Sequence, residues 1–428
     1  MLRTGTSLQS FFLLAIFLTG WLPSSAQLKE GNRDSLRQLL ANTTDARERL
    51  APLGEMAWSY LFSEEALPYL HELDSLTRVL QIDPDLAVRT SVLSTRSRMF
   101  HQRGYQAKFR RRIAMAQQDF REAMRYADLA KDTLALANAM NAMGVSYAAL
   151  RMPSQALYWY EKELELVLST AEKPAMYTTH IRQHMADALM QLGRFQFAEA
   201  ALAACDTIEA GRHALTLMGR GQLAAYRGDT ADALALMSRA EQVVERSPES
   251  WNSITVWEPY ARFLLQAGAA EQALHTANKA IDLADRIGDH AAKAGCLVIA
   301  GQAEMQIRDL RSAERMFKEA LTIANVHGYI GLSRETGDDG SMVRAAELLR
   351  NLYKAQRRTQ DALAITDLWV AWKDTLHSIE GREELLRFDL EQAALTDSIV
   401  DAQRLDDATA PLRTQVAEER QRRQRILI

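Results

Sequence analysis

Small and apolar residues recur at fixed offsets along this chain of 428 residues. Gly144 is followed by Tyr147 three residues later, by Ala156 twelve later and by Tyr160 sixteen later. The same spacing returns in five further segments, and the residue at the twelfth offset is Ala each time. These sets are Ala186, Leu189, Ala198 and Leu202; Gly221, Ala224, Ala233 and Met237; Ala261, Leu264, Ala273 and Ala277; Gly301, Glu304, Ala313 and Phe317; and Arg350, Tyr353, Ala362 and Thr366. A period of 35 to 49 residues of this kind predicts a repeat protein.

Each set predicts a hairpin of two antiparallel helices, which we name A and B in chain order. Helix axes at a close crossing lie about 8–10 Å apart, and a small residue is needed where they meet. The first residue of each set supplies this contact from helix A, and the Ala twelve residues later supplies it from helix B. Gly193, Gly228 and Gly268 fall where helix A has to end and the chain has to reverse, as glycines at helix C-termini do.

This pattern resembles the tetratricopeptide repeat (TPR) family, whose repeats place small residues and aromatic residues at these offsets. The resemblance covers residues 104–375 and implies an all-α fold, a right-handed α-solenoid of about seven to eight helical hairpins. Residues 27–103 are predicted to form degenerate hairpins before this array. Glu304 and Arg350 depart from the pattern, and the insertion at 328–341 predicts an exposed loop.

The N-terminus predicts export. Arg3 precedes an apolar stretch over residues 11–22, and Ser24 and Ala26 are the small residues that a signal peptidase recognises. The apolar stretch is short for a transmembrane helix. We therefore predict a signal peptide over residues 1–26 and a mature protein that is periplasmic or associated with the cell envelope. An uncleaved membrane anchor is the alternative.

The C-terminal part departs from the repeat pattern. Residues 376–410 predict a charged helix. Its apolar positions recur every seven residues, at Ile379, Leu386, Ala393 and Val400. This spacing is typical of a short coiled coil and predicts a homodimer through residues 379–407. A single helix that caps the array is an equally good interpretation.

Residues 411–428 predict a basic tail that ends on three apolar residues. The basic residues are Arg420, Arg422, Arg423 and Arg425. The order of signal peptide, TPR array, charged helix and basic tail resembles the exported sensor half of Bacteroidetes-type TPR signalling proteins. In those proteins a transmembrane helix and a histidine kinase, nucleotide cyclase or DNA-binding regulator follow. The resemblance implies a role in signal transduction and membrane anchoring beyond the C-terminus.

Composition narrows the classes of function. The 51 basic and 55 acidic residues give a net charge of −4, which disfavours nucleic acid as a partner. Hydrophobic residues make up 47% of the chain and aromatic residues only 7%, because the helix formers Ala, Leu and Met dominate. Cys205 and Cys296 lie three repeats apart, too far for a disulfide, and are expected to be small core residues. No constellation of catalytic residues stands out, so we expect a non-enzymatic protein without a cofactor or metal.

Two groups of charged or ionisable residues have more than one interpretation. His180 and His184 share one helical face at a spacing used by zinc-binding helices, but no Glu follows the first His. We interpret them as a solvated pair or as a pair that lines a groove. The second group holds nine basic residues: Arg96, Arg98, Arg103, Lys108, Arg110, Arg111, Arg112, Arg121 and Arg125. It predicts either a solvated helix face or a docking patch for an acidic partner or lipopolysaccharide.

The resemblance to TPR domains also implies a binding face, because their ligands lie against the concave surface formed by the A helices. The corresponding positions are Asn138, Asn141, His180, Gln183, Asp187, Gln191, Gln222, Tyr226, Glu258, Arg262, Gln302, Gln306, Arg344 and Asn351. Amides dominate, and an amide can both donate to and accept from the backbone of an extended peptide. We predict a protein or peptide ligand in this groove, with ordinary polar surface as the alternative. Pro259 lies mid-helix, and a kink there would displace Glu258 and Arg262.

Overall fold

The structure is a computed structural model that describes residues 30–60, 64–109, 112–170, 174–205, 210–246, 251–327, 341–375, 377–387 and 389–390. Within these ranges all regular secondary structure is helical, which confirms the predicted all-α repeat fold. The predicted signal peptide, residues 328–340 of the insertion and the basic tail lie outside the described residues. In the described part of the chain, no helix combines the length and apolar character that a membrane span requires.

We number the helices in chain order. The first nine are α1 Glu30–Asn42, α2 Ala46–Ser59, α3 Leu67–Leu80, α4 Leu86–Phe109, α5 Ile113–Ala130, α6 Thr133–Ala149, α7 Pro153–Thr170, α8 Pro174–Gln191 and α9 Phe195–Ala203, with a 3-10 turn at Glu64–Ala66. The next seven are α10 Ala210–Tyr226, α11 Thr230–Val244, α12 Trp251–Gln266, α13 Ala270–Ile287, α14 His290–Ile307, α15 Leu310–His327 and α16 Ser341–Ala355. Helix α17 covers 359–375 and α18 covers 377–387.

The helices pack in sequential order. The chain divides into two compact units between residues 376 and 377, and α18 belongs to the second unit. In the first unit, every even-numbered helix from α2 to α16 packs against the odd-numbered helix that follows it. Each even-numbered helix also contacts the next even-numbered one, so that the even-numbered helices are the A helices and form a continuous layer. The described residues thus contain eight hairpins, within the predicted range, and α1 packs on α2.

The array begins earlier in the structure than the repeat pattern indicated. We placed its first residue at 104, but α4 is continuous from Leu86 to Phe109. Residues on both sides of that boundary therefore belong to one A helix, which packs against α5. The helices before α4 share one core with Val92 and Met99 of α4, and Leu53, Met56 and Leu73 of this core are almost completely buried.

The hairpin turns require a left-handed backbone. Gly193, Gly228 and Gly268 have φ of 69°, 83° and 80°, as predicted for the ends of A helices. Three other hairpins place an arginine at the equivalent turn position, with φ between 55° and 71°: Arg151, Arg308 and Arg357. A residue with a Cβ adopts this conformation at a cost that Gly avoids. The turn geometry is therefore kept even where the sequence does not supply a glycine.

The A and B helices of a hairpin cross where a glycine faces a large side chain. A Cβ added to Gly144 would overlap the ring of Tyr160. On Gly301, a Cβ would lie 2.6 Å from the ring of Phe317, which is also sixteen residues later. The Ala at the twelfth offset, such as Ala156, is fully buried beside this contact. The offsets found in the sequence are thus the contacts of one repeated crossing.

The last hairpin holds its helices together differently. Arg350 replaces the small residue, and its guanidinium carbon lies 4.1 Å from the ring centroid of Trp369 on α17. Nearby, Glu314 of α15 accepts hydrogen bonds from Tyr353 at 3.1 Å and from Arg358 at 2.6 Å. Desolvation alone would raise the pKa of Glu314, but these hydrogen bonds and one from Lys318 outweigh it and lower the pKa to about 2. This ionic network therefore ties α15 to the following hairpin at neutral pH.

The crossing contact generates a stability prediction. Gly144→Ala should destabilise the protein by about 1–3 kcal/mol, because the new Cβ forces the Tyr160 ring away from α6. Gly54→Ala is the matched control. No atom lies within 4 Å of a Cβ at this helical glycine, so the substitution should be neutral or stabilise α2 by about 0.5–1 kcal/mol.

Thermal denaturation followed by circular dichroism would measure both variants. A Gly144→Ala protein as stable as the Gly54→Ala protein would show that the ring moves without cost, and that the glycine is not needed for the crossing.

Candidate functional site

The fourteen predicted ligand-binding residues lie on six A helices, α6, α8, α10, α12, α14 and α16. Because successive A helices contact one another, these positions form a row across the stack. Nine of the side chains are half-buried: Asn138, Asn141, His180, Gln183, Asp187, Gln222, Glu258, Arg262 and Gln302. The remaining five are exposed: Gln191, Tyr226, Gln306, Arg344 and Asn351. We call this row the inner face.

Some of these residues connect neighbouring A helices. The side-chain amide of Gln183 on α8 donates to the hydroxyl of Thr216 on α10 over 3.4 Å. The Gln306 amide on α14 donates to the carbonyl of Leu265 on α12 over 3.5 Å. These bonds are long, so a ligand that offers a better partner can replace them at little cost. Weak hydrogen bonds therefore position these side-chain amides on the inner face, and a ligand can replace those bonds.

Glu258 and Arg262 differ from the amides of the inner face in the way they are paired. Helix α12 continues through Pro259 without interruption, so both residues keep their position in the helix. Their side chains, 14% and 23% exposed, form an ion pair with each other at 3.1 Å. The two charges neutralise each other in this arrangement, which makes the pair a weaker candidate for ligand binding than the amides.

Other predicted residues lie at the margins of the row. The Tyr226 ring, 55% exposed, lies at the end of α10 with its centroid 6.4 Å from that of Phe195 in the preceding hairpin. Arg344 pairs with Glu347 of its own helix at 2.7 Å. The structure does not bring these two residues into contact with the central group on α6 and α8.

The most closely connected polar group includes a residue that the sequence analysis missed. Glu163 lies on α7, a B helix, yet its carboxyl accepts a hydrogen bond from Asn141 on α6 at 2.9 Å. The Nε2 atom of His180 on α8 lies 3.4 Å from the other carboxyl oxygen. Burial raises the pKa of Glu163 to about 8, although the bond from Asn141 acts in the opposite direction. The signal in the sequence was an acidic residue on the apolar stripe formed by Ala156, Tyr160 and Val167.

The two histidines of α8 have different environments. His184 stacks on the Tyr160 ring with centroids 5.3 Å apart. Burial, together with the nearby His180 and Lys108, lowers its pKa to about 3. His180 is 24% exposed and faces Glu163. Among the residues that the structure describes, no group of three His, Cys, Asp or Glu side chains could hold a metal ion.

The cysteines and the basic segment are largely structural. Cys205 and Cys296 are free and buried, and burial raises the pKa of both thiols. In the basic segment several arginines pair with acidic residues. The nitrogen–oxygen distances are 3.8 Å for Arg96 and Asp74, 3.4 Å for Arg103 and Asp119, and 2.7 Å for Arg125 and Glu122. Much of the positive charge is thus compensated locally, whereas Arg110 and Arg111 lie outside the described residues.

Comparisons with known proteins support the fold. No protein-family model matches the chain, and no curated protein matches its sequence. Yeast Tom70 is similar in structure, with a TM-score of 0.54 and 14% identity over 91% of this chain and 80% of that chain. The apo form of the quorum sensor NprR from B. thuringiensis has a TM-score of 0.47 and 14% identity over 84% of this chain and 98% of that chain. A Rap protein complexed with competence and sporulation factor has a TM-score of 0.44 and 12% identity over 83% of this chain and 100% of that chain. The similar structures are TPR-like helical repeat proteins.

The environment of Glu163 predicts a pH dependence of stability. Its ordinary pKa is 4.5 and the folded value is about 8, so the folded protein holds a proton there that the unfolded chain releases. Below about pH 4.5 the ionisation of this group should not lower the free energy of unfolding. Between about pH 4.5 and pH 8 it should lower the free energy of unfolding by up to about 1.4 kcal/mol per pH unit. Glu163→Gln, which cannot ionise, should therefore lose less stability than wild type between pH 5 and 9.

Urea denaturation at pH 5, 7 and 9 would measure this difference. Glu165→Gln is the control, because Glu165 is on the same helix with its side chain 72% exposed and should behave as wild type. Parallel pH profiles for wild type and Glu163→Gln would contradict the assigned protonation.

Proposed function

We propose that the chain is a non-enzymatic protein- or peptide-binding module whose ligand lies along the inner face. The observation that carries this proposal is the row of amide side chains on five of the six A helices of the inner face, all except α12. Eight of the fourteen inner-face residues are Asn or Gln: Asn138, Asn141, Gln183, Gln191, Gln222, Gln302, Gln306 and Asn351.

A polypeptide is the ligand that such a row suits best. The backbone of an extended peptide presents alternating N–H and C=O groups, and each Asn or Gln side chain can pair with both. A small molecule would instead use an enclosed apolar cavity with a few polar groups. A pocket of about 410 Å³ lies on the other side of α8, between α7 and α9. It is lined by Leu164, Met185 and Phe197 and does not include an inner-face residue.

We further propose that this module is the periplasmic sensor part of a membrane-bound signal-transduction protein. The support is the sequence: a signal-peptide pattern at residues 1–26, a heptad seam after residue 376 and a basic tail that ends on apolar residues. A ligand that binds the inner face would then alter the geometry of the C-terminal helices. The alternative proposal is a self-contained exported TPR scaffold or adaptor in the cell envelope.

The inner face can be tested by substitution. The purified protein would first be used to select binders from a random octapeptide display library. Gln183→Ala and Gln222→Ala together should weaken binding of the selected peptides about tenfold, because two side-chain hydrogen bonds of about 0.5–1.5 kcal/mol each are lost. Fluorescence anisotropy would measure affinity, and the melting temperature would show that the fold is retained.

Gln272→Ala is the matched control, since Gln272 is an exposed amide on the B helix α13. A library that yields no binders would contradict the proposed function. Binders whose affinity is unchanged by the double substitution would place the binding site elsewhere.

The sensor proposal predicts a dimer through residues 379–407. Ile379 and Leu386 lie in the described part of this seam, whereas Ala393 and Val400 lie outside the described residues. Ile379→Asp with Leu386→Asp should convert a dimer to a monomer, because charges at core positions of a coiled coil prevent association. Sedimentation velocity would measure the change, and Leu385→Asp, at an exposed position beside the seam, should remain dimeric. A wild-type monomer would favour the scaffold alternative.

A further inference from the structure

Glu163 reaches the inner face from the outer layer of helices. Its helix α7 is a B helix, but the side chain extends between the A helices α6 and α8, where it meets Asn141 and His180. The side chain is only 1% exposed. Oε2 accepts the hydrogen bond from Asn141, whereas Oε1 is buried and accepts none in the described structure. The Nε2 atom of His180 lies 3.4 Å from Oε1, and the His180 side chain is 24% exposed.

The repeat does not require a carboxyl at this position. Glu163 lies nineteen residues after the crossing glycine of its hairpin. Four other hairpins have a fully buried alanine at the same offset from their own crossing residue: Ala123, Ala240, Ala280 and Ala320. Burying a carboxyl with an unpaired oxygen costs free energy that alanine does not. Packing therefore does not account for Glu163.

The carboxyl also lacks a permanent counterion among the described residues. Helix α6 contributes no Asp, Glu, Lys, Arg or His. The ionisable side chains that belong to this group of contacts are His180 and His184 on α8 and Tyr160 on α7 itself. Lys108 of α4 acts on His184. Burial raises the pKa of Glu163 to about 8, so the group is protonated at pH 7.

We propose that Glu163 anchors a cationic side chain of the ligand, the ammonium group of lysine or the guanidinium group of arginine. This inference rests on the proposed function, because the cation belongs to a peptide on the inner face. For the cation to enter, the His180 ring rotates away from Oε1. The O–H bond of the carboxyl then breaks, its proton passes to solvent, and both oxygens of the carboxylate accept hydrogen bonds, from the ligand and from Asn141.

A neutral ligand group would fit this site less well. A buried carboxyl that remains protonated offers one donor and a weak acceptor, and it makes no ionic interaction with the ligand. A cation instead provides the opposite charge that makes ionisation favourable in a buried site. The groove would therefore discriminate between peptides that carry a cation at one position and peptides that do not.

The test uses the random octapeptide library with the full chain. Selection on wild type should enrich Lys or Arg at one peptide position. The most frequent peptide should bind wild type at least about tenfold more tightly than its Lys→Gln or Arg→Gln version, a difference of about 1.4 kcal/mol. Glu163→Ala, which introduces the residue found in four other repeats, should reduce this preference to less than twofold. Glu165→Ala, at an exposed position of the same helix, should retain it.

Two further measurements separate binding from folding. Glu163→Gln keeps the shape of the side chain and should lose the preference as Glu163→Ala does. His180→Ala removes the group that competes for Oε1, and should keep the preference and bind the cationic peptide more tightly. If His180→Ala abolished the preference while Glu163→Gln kept it, the imidazole and not the carboxyl would be the anchor, and the inference would be overturned.

Proton release provides an independent readout. Isothermal titration at pH 7 in phosphate and in Tris, two buffers with different ionisation enthalpies, should show release of about one proton when wild type binds the cationic peptide. Glu163→Gln should release none. Selected peptides without an enriched cation would overturn this inference and leave the proposed function intact. A library without any binders would contradict the proposed function itself, and the inference with it.

Discussion

The structure depends on the close crossing of two helices in each hairpin. Gly144 and Gly301 have no side chain, so the rings of Tyr160 and Phe317 lie directly on the backbone of the A helix. This contact fixes the distance between the helices and the rotation of each about its axis. Because the rotation is fixed, the same positions of every A helix meet the next A helix, and the same positions remain for the inner face. The alignment of the inner-face positions is a consequence of this geometry.

Repetition of one crossing makes the contacts local. Each hairpin packs on its sequence neighbours, so a change in one hairpin does not have to be compensated across the whole molecule. The last hairpin illustrates this tolerance, since Arg350 stacks on Trp369 where other hairpins hold a small residue. Glu163 is a second case, in which a single hairpin holds a carboxyl at a position that requires only an alanine. A repeat scaffold can thus acquire a polar site without losing its core.

The sequence was sufficient for the parts of the fold that follow from steric fit. The offset of sixteen residues identified the crossing, and Gly228 marked a turn with φ of 83°. It was insufficient where another interaction replaces the small residue or the glycine. Arg308 adopts φ of 71° because the turn is imposed by the helices on either side, and a local pattern does not reveal this. Glu163 was missed because the TPR register assigns ligand contacts to A helices only, whereas its side chain extends inward from a B helix.

Amides and a buried carboxyl make complementary contributions to recognition. An amide such as Gln183 costs little to bury partly, because a weak bond to Thr216 satisfies it until a ligand arrives, and it reads the backbone that all peptides share. A carboxyl such as Glu163 costs more to bury, because burial disfavours its ionised form in the free protein, and for the same reason the proposed site would distinguish a cation from a neutral group. Affinity for extended chains and selection among them can therefore reside in different residues of one face. In the proposed binding mode, the amides of five A helices supply the former, and the position between α6 and α8 supplies the latter at a single point.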